Sequence, residues 1–402
     1  MNGETMMKKT IFISAAFGLL AAASANAGII TEWDKSLVVT DPEPVGGYVD
    51  YITYNSIIYL DDTMTASNGR VVWKHGDVQP DGLKVVNHDD VDGSNCIMTT
   101  GYNPYDLSDK QCSDPLQSSK RAKVKNTVSG PLDVDLHVIA GPTTTYRMEQ
   151  KLTNGTAADL WAGFTIQLGT KDAGGNFIPS TPGDGLGFSD NKGNIWTSLV
   201  STATQKDLVF SANFAQGLAG PADKYHPEPG YFNPVERMIF TMVADENTIT
   251  SAGVSSTYSN VFGPWVNSAG APVAIFWDDD GDINTDNILM GNCADSANLV
   301  HVGTHSGDDI TGFTCNGTWV TFRGTTPGTP EVLGDLEAAF GQPVYSSINE
   351  AIAAVAAGEA TNPMYMDYIE DAANLGLNFW ITVADSFAGD NIVIRYTPVV
   401  TE

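Results

Sequence analysis

From Gly28 to about Gly324 the chain is written in short alternating segments separated by Gly, Asn, Asp and Pro. Examples are "YVDYITYNSIIYL", "LDVDLHVIA", "TYRMEQKLT", "WAGFTIQLG", "LVFSANF", "RMIFTMVA", "PVAIFW" and "TWVTFRG". Alternation with a period of two puts apolar side chains on one face of a strand and polar ones on the other, so these runs read as antiparallel strands with one face against a core. In "LDVDLHVIA", Leu132, Val134, Leu136 and Val138 share a face while Asp133, Asp135 and His137 point away. His137 is thereby a solvated side chain, not a catalytic one. The predicted fold is mainly β, an antiparallel β-sandwich or jelly roll over residues 28–325.

The pattern changes at "GTTPGTPE", where Gly324, Pro327, Gly328 and Pro330 interrupt the strands. Residues 326–402 then carry three helix-like stretches, "EVLGDLEAAFG", "SSINEAIAAVAAGEA" and "PMYMDYIEDAANLG", with Ser346 or Ser347 as the N-cap and Gly358 near a C-terminus. Two apolar runs follow, "NFWITVAD" and "NIVIRYTPV", separated by "SFAGDN". They are expected to form a closing hairpin that packs on the body.

The first residues, "MNGETMMKKTIFISAAFGLLAAASANA", combine Lys8 and Lys9, an apolar stretch from Ile11 to Ala23 and the triplet Ala25, Asn26, Ala27. This is the layout of a secretory signal over residues 1–27, too short in its apolar part for the roughly 20 residues of a membrane span. The mature chain is expected outside the cell or at its surface, with no transmembrane segment. An exported chain keeps its cysteines oxidised. Of the three pairings open to Cys96, Cys112, Cys293 and Cys315, the local ones, Cys96 with Cys112 and Cys293 with Cys315, close short loops between strands. The Cys-x-x-Cys spacing of zinc sites is absent.

Composition narrows the partners. A formal charge of −28 disfavours nucleic acid and anionic membrane, and 42% hydrophobic residues supply a large core, which excludes disorder as the source of the acidity. Against this background "SSKRAKVKNT" gathers Lys120, Arg121, Lys123 and Lys125. It reads as an edge strand whose charges block sheet-to-sheet association, or else as a patch for an acidic polymer.

Candidate chemistry is sparse. The run "PVAIFW" leads into "DDDGDINTD", whose Asp278, Asp280, Asp282 and Asp286 lie at spacings that let carboxylates point at one centre. Calcium takes about six to eight oxygen ligands, so these four residues form a candidate calcium loop, with a solvated acidic turn as the alternative. The segment follows a strand and lacks the Glu of the helical calcium hand. "NHDDVDGSNC" is a second such cluster, through Asp90, Asp92 and Ser94. His301 and His305 in "HVGTH" read as a surface loop, because Gly303 and β-branched neighbours oppose a helix. "GDGLGF" from Gly183 reads as tight turns, not a dinucleotide loop, for want of a strand-to-helix context. Trp73, Trp196 and Trp265 are in positions for core packing or for stacking on sugar rings. Neither a Gly-x-Ser-x-Gly elbow nor a His-Glu-x-x-His helix occurs.

The stretches "ITEW", "SIIYLDDTMTASNGRVVWKHGDVQPDGLKVVNHDDVDGSNCIMTTGYNPYDLSDKQCSDPLQSSKR" and "FWDDDGDINTDNILMG" resemble those of the bacterial choice-of-anchor F proteins. That resemblance implies an exported body with a cell-surface destination and no assigned reaction. The family's C-terminal sorting tail has no counterpart in "RYTPVVTE". The expected function is therefore that of a secreted or surface-associated structural or binding protein, stabilised by calcium, that contacts extracellular polysaccharide or other surface proteins. An extracellular glycoside hydrolase with a carboxylate pair is the alternative.

Overall fold

A computed structural model describes residues 27–42, 53–74, 81–89, 92–99, 112, 121–197, 200–201, 212–213, 242–251, 267, 273–278, 288–295, 297, 302–306, 309–321, 331–332, 343–361, 363–368 and 373–401. The molecule is mainly β, and its centre is a sandwich of two sheets. The first sheet runs in the order Ala27–Trp33, Leu132–Ala140, Asn391–Val400, Trp161–Lys171, Thr248–Ser251, Met242–Ala244 and Val200–Ser201, with Phe177–Pro179 beside Trp161–Lys171. The second runs Leu186–Ser189, Asn374–Val383, Thr144–Asn154, Ala122–Asn126, Ser67–Lys74, Thr53–Tyr59 and Val38–Thr40. Most pairs are antiparallel, but Ala122–Asn126 and Cys96–Met98 lie parallel to Thr144–Asn154.

Consecutive strands pass from one sheet to the other. Ala122–Asn126 belongs to the second sheet, Leu132–Ala140 to the first, Thr144–Asn154 to the second and Trp161–Lys171 to the first. Each crossing turns the apolar face of the next strand toward the one before it. The sequence alternation is kept: Leu132, Val134, Leu136 and Val138 enter one continuous core with Phe164, Ile166 and Leu168 from their own sheet and Tyr146, Met148, Phe379 and Ile381 from the other. Each such side chain contributes about 1.5–3 kcal/mol by leaving water.

Two tyrosines join the sheets through polar tips. Tyr396 donates its hydroxyl to Gln150 Oε1 at 2.5 Å across the core. Tyr146 accepts from the Ile30 amide at 3.0 Å and donates to Asn87 Oδ1 at 2.5 Å, while Asn87 Nδ2 donates to the Ile30 carbonyl at 2.8 Å. This ring satisfies the backbone of the strand Ala27–Trp33 at the edge of the first sheet, where an incoming strand would otherwise pair. Burial pushes the Tyr146 hydroxyl up to about 12, so it stays a neutral donor at physiological pH.

A third sheet, in the order Glu331–Val332, Thr318–Thr321, Ile288–Ala294, Val273–Asp278, Met364–Tyr368 and Val344–Tyr345, reaches the main core through Ala274 and Phe276. The helix Ile348–Ala357 links a parallel pair of this sheet, Val344–Tyr345 and Met364–Tyr368. Ser347 is the N-cap and accepts from the Glu350 amide at 3.3 Å, while the Ser346 hydroxyl donates to the Glu350 carboxylate at 2.6 Å. Gly358 ends the helix in the left-handed region, φ 73°, where its amide reaches back to the last turn.

Several expectations are corrected. The segment expected as a third helix contains the strand Met364–Tyr368, because Tyr365 stacks on Phe276 at 5.7 Å and Met364 is buried with Ile275, contacts that only a strand beside Val273–Asp278 makes. Glu331–Val332, expected to start a helix, is a strand on Thr318–Thr321. The last two strands are not a hairpin. Asn374–Val383 lies between Leu186–Ser189 and Thr144–Asn154 in the second sheet, and Asn391–Val400 lies between Leu132–Ala140 and Trp161–Lys171 in the first. Their link carries Phe387 into the shared core, which suits the roughly 10 Å between packed sheets better than a turn between hydrogen-bonded neighbours. The end of the chain thus completes the sandwich at its centre. The basic segment is no edge: Ala122–Asn126 is flanked on both sides, with Ala122 and Val124 inward. Gly303–Ser306, which contains His305, is a strand and not a loop; His301 lies outside the described residues.

Two turns share one design, Asp-x-x-Gly-Asn, at Asp172–Asn176 and Asp190–Asn194. The glycines, Gly175 and Gly193, take φ 79° and 82°. Asp172 Oδ1 accepts from the Gly174 and Asn176 amides at 2.8 and 2.9 Å, and Asp190 Oδ1 from the Lys192 and Asn194 amides at 2.8 and 3.0 Å. The amide and side-chain bonds from Asn176 hold the Asp172 carboxyl below its usual value. At Asp190 burial pushes the other way, but the bonds from Asn194 and Lys192 outweigh it.

Tyr146→Phe should cost about 1–3 kcal/mol, read from denaturant unfolding, because it leaves buried Ile30 and Asn87 groups unpaired. In the turns, a depressed carboxyl contributes stability that is present above its unfolded value of about 4 and is lost as pH falls through the folded value. Amide-exchange protection at 172–176 and 190–194 should therefore weaken below about pH 4, and Asn176→Ala should raise the Asp172 titration midpoint in carboxyl NMR.

Candidate functional site

The outward face of the first sheet carries the densest charged arrangement for which the structure gives every partner. Because Leu132, Val134 and Leu136 point inward, Asp133 and Asp135 point out; by the same parity Arg395 faces out between the inward Ile394 and Tyr396. Register places Arg395 opposite Asp133 on the neighbouring strand and Val393 opposite Asp135. Arg395 grips Asp133 with two parallel bonds, Nε to Oδ1 at 2.7 Å and Nη2 to Oδ2 at 2.8 Å. The Phe177 ring covers the guanidinium, 4.0 Å from Cζ. A fork of this geometry is the strong form of an ion pair.

Lys171 comes from the strand on the far side of Asn391–Val400. Its side chain crosses that strand, donates to Asp135 Oδ2 and lies 3.9 Å from Asp133 Oδ2. Val393 beneath is fully buried although it faces away from the inter-sheet core. The backbone amide of Lys171 donates to Asn391 Oδ1 at 3.1 Å, at the start of the strand that the lysine side chain crosses. Burial raises the Asp135 carboxyl above its ordinary value, with the bond from Lys171 opposing and the nearby Asp133 and Asp34 adding to the rise. Its Oδ1 is buried without a hydrogen bond among the described residues. Asp34 donates its amide to the Asp135 carbonyl at 2.9 Å, and His137 Nε2 stands 3.7 Å from Asp34 Oδ1. His137 is 46% exposed, in keeping with a solvated role.

Sequence reasoning placed Asp133 and Asp135 outward but missed Lys171, Arg395 and Phe177. The available signal was Arg395 itself, a lone charge inside the apolar run "NIVIRYTPV" that needs a counter-charge on an adjacent strand.

The calcium loop is placed only by its ends. Asp278 closes the strand Val273–Asp278 and pairs in register with Ile288, so the acidic segment connects an antiparallel pair. Asp280, Asp282 and Asp286 lie outside the described residues, as does Asp90 of the second cluster. In that second cluster Asp89, not one of the named aspartates, is the organising residue. It is buried, its Oδ1 accepts from the Asp92 amide at 3.2 Å and its Oδ2 from the Cys112 amide, while Asp92 Oδ1 accepts from the Ser94 amide at 2.9 Å. Among the described residues, no group of three or more His, Cys, Asp or Glu side chains is disposed to hold a metal ion.

Both disulfides are local. Cys96–Cys112 has Cα atoms 5.9 Å apart and fixes the turn around Asp89. Cys293–Cys315, at 5.5 Å, ties the third sheet to the hairpin of Gly303–Ser306 and Asp309–Cys315. Each ring stabilises by about 3 kcal/mol in the loop-closure account. Trp73 is fully buried and stacks on Tyr54 at 4.5 Å, and Trp196 joins the main core, so neither presents a free ring to a sugar; Trp265 lies outside the described residues. Gly183 and Gly185 take φ 86° and 94°, as tight turns require.

No family model, curated protein or solved structure matches the chain.

Arg395→Met should lower stability by about 2–3 kcal/mol, since it leaves the half-buried Asp133 without its fork, and the loss should exceed that of Arg395→Lys in thermal or denaturant unfolding.

Proposed function

We propose that this chain is an exported structural and binding protein, secreted or held at the cell surface, in line with its resemblance to the choice-of-anchor F proteins. The observation that carries this reading is the state of the cysteines: all four are paired in two local disulfides and no thiol is left free. Such bonds persist in oxidising compartments and are rare in the cytosol. Among the described residues no helix is long and apolar enough to cross a membrane.

The partner is extracellular polysaccharide or another surface protein, met by a rigid, acidic sandwich. Nucleic acid is disfavoured by the net charge of −28. Asp278, Asp280, Asp282 and Asp286 take up calcium in the segment that connects the paired strands Val273–Asp278 and Ile288–Ala294.

Fractionation of producing cells should find the native chain on the envelope or in the medium, starting at Gly28 and with no alkylatable thiol. A cytosolic chain that keeps residues 1–27 and reduced cysteines would end this reading. Glycan arrays and pull-downs with and without calcium identify the partner, and cleavage of an arrayed polysaccharide would replace the reading with a hydrolase. Calcium should raise the melting temperature, and Asp280→Ala combined with Asp282→Ala should abolish the rise. An unchanged melting curve in chelator would remove the metal from the proposal.

A further inference from the structure

Lys171 and Asp135 stand on strands that are not neighbours, since Asn391–Val400 runs between them. Their side chains meet above Val393, and both are largely buried, with exposures of 20% and 16%. Beside the pair stands a second carboxylate, Asp133, whose Oδ2 lies 3.9 Å from the same Nζ. Asp133 is locked by the Arg395 fork, and the fork is capped by Phe177. An amine and two carboxyl groups are thus gathered in one partly dehydrated place, with oxygen atoms of two different acids around one nitrogen.

We propose that Lys171 and Asp135 are joined in the mature protein by an intramolecular isopeptide bond that crosses Asn391–Val400, with Asp133 as the proton carrier. The step balances without an oxidant or a cofactor. The Lys171 ammonium gives one proton to the Asp133 carboxylate and, as the neutral amine, attacks Cγ of Asp135 in its acid form. The Nζ–Cγ bond forms, the bond from Cγ to the hydroxyl breaks, and the hydroxyl leaves as water with a second proton from the nitrogen. Asp133 then returns its proton to solvent. Burial raises the Asp135 carboxyl and so favours the acid form that the attack requires. Condensation of free acid and amine is unfavourable in water, but groups held in contact react with effective concentrations of about 10⁵–10⁸ M, and partial burial limits the water that would reverse the step.

The consequence is mechanical. The bond would tie Leu132–Ala140 to Trp161–Lys171 over the strand that completes the sheet, so that Asn391–Val400 is clamped from above as well as by its ladders.

The intact mass of the full mature chain, denatured and reduced, decides the matter. The wild type should be lighter than its sequence by one water, about 18 Da. Digestion should yield a branched peptide that joins residues 132–140 to 161–171. Lys171→Arg and Asp135→Ala should each restore the full mass, and Asp133→Asn should slow the loss of water during refolding from the denatured, unlinked chain. A wild-type chain at full mass shows an ordinary ion pair and overturns the proposal, as does a loss of water that maps to any other pair of residues. The wild-type measurement stands even where a variant fails to fold, and it reads the same whether or not the chain is exported.

Discussion

Two sheets held face to face by strands that cross from one to the other impose the main constraint on this molecule. Each sheet hides its apolar face only if the other is present, so neither half is stable alone. Leu132, Val134, Leu136, Val138, Ile392, Ile394 and Tyr396 on one side meet Tyr146, Met148, Phe379 and Ile381 on the other in a single core. Crossing strands make the two faces inseparable in the chain as well as in space. The two tyrosine hydroxyls that enter this core are matched to partners, as burial demands: Tyr396 finds Gln150, and Tyr146 finds Ile30 and Asn87.

The outer face of the first sheet solves a different problem. A protein with 48 acidic and 20 basic residues repels itself, and screening in salty surroundings removes only the part that acts through solvent. Acids that are partly buried need local compensation. Arg395 and Lys171 supply it from two different strands, one beside Asp133 and one reaching across to Asp135. Because the fork and the crossing lysine act on adjacent carboxylates, the strand between them, Asn391–Val400, is fixed in register on its outer surface as well as its inner one.

Around this centre the connections are held locally. Asp89 gathers the amides of its own turn and of Cys112, and the disulfide to Cys96 closes the same loop covalently. Asp172 and Asp190 do for two hairpin turns what Asp89 does there, using a side-chain carboxylate to replace missing backbone partners. Much of the acidity among the described turns is therefore structural. The charged groups most available for chemistry are those on the sheet face, where an amine and two carboxylates meet.

Alternation by itself determined the strands, their inward faces and the sandwich class, because side-chain direction in a strand follows from the backbone alone. Capping chemistry likewise determined the helix between Ser347 and Gly358. Short spacing between cysteines favoured the two local bonds that form. What the tertiary structure decided was which strands become neighbours. The basic strand Ala122–Asn126 reads alike at an edge and in the interior, and only its ladders to Ser67–Lys74 and Thr144–Asn154 place it inside. The last two strands are consecutive in the chain yet lie in opposite sheets, and Met364–Tyr368 becomes a strand through its pairing with Val273–Asp278. The meeting of Asp135 with Lys171, and of Asp133 with Arg395, joins residues 36 and 262 positions apart. A local pattern carries no information about contacts of that range, since they arise from register between strands that the chain brings together only when the core closes.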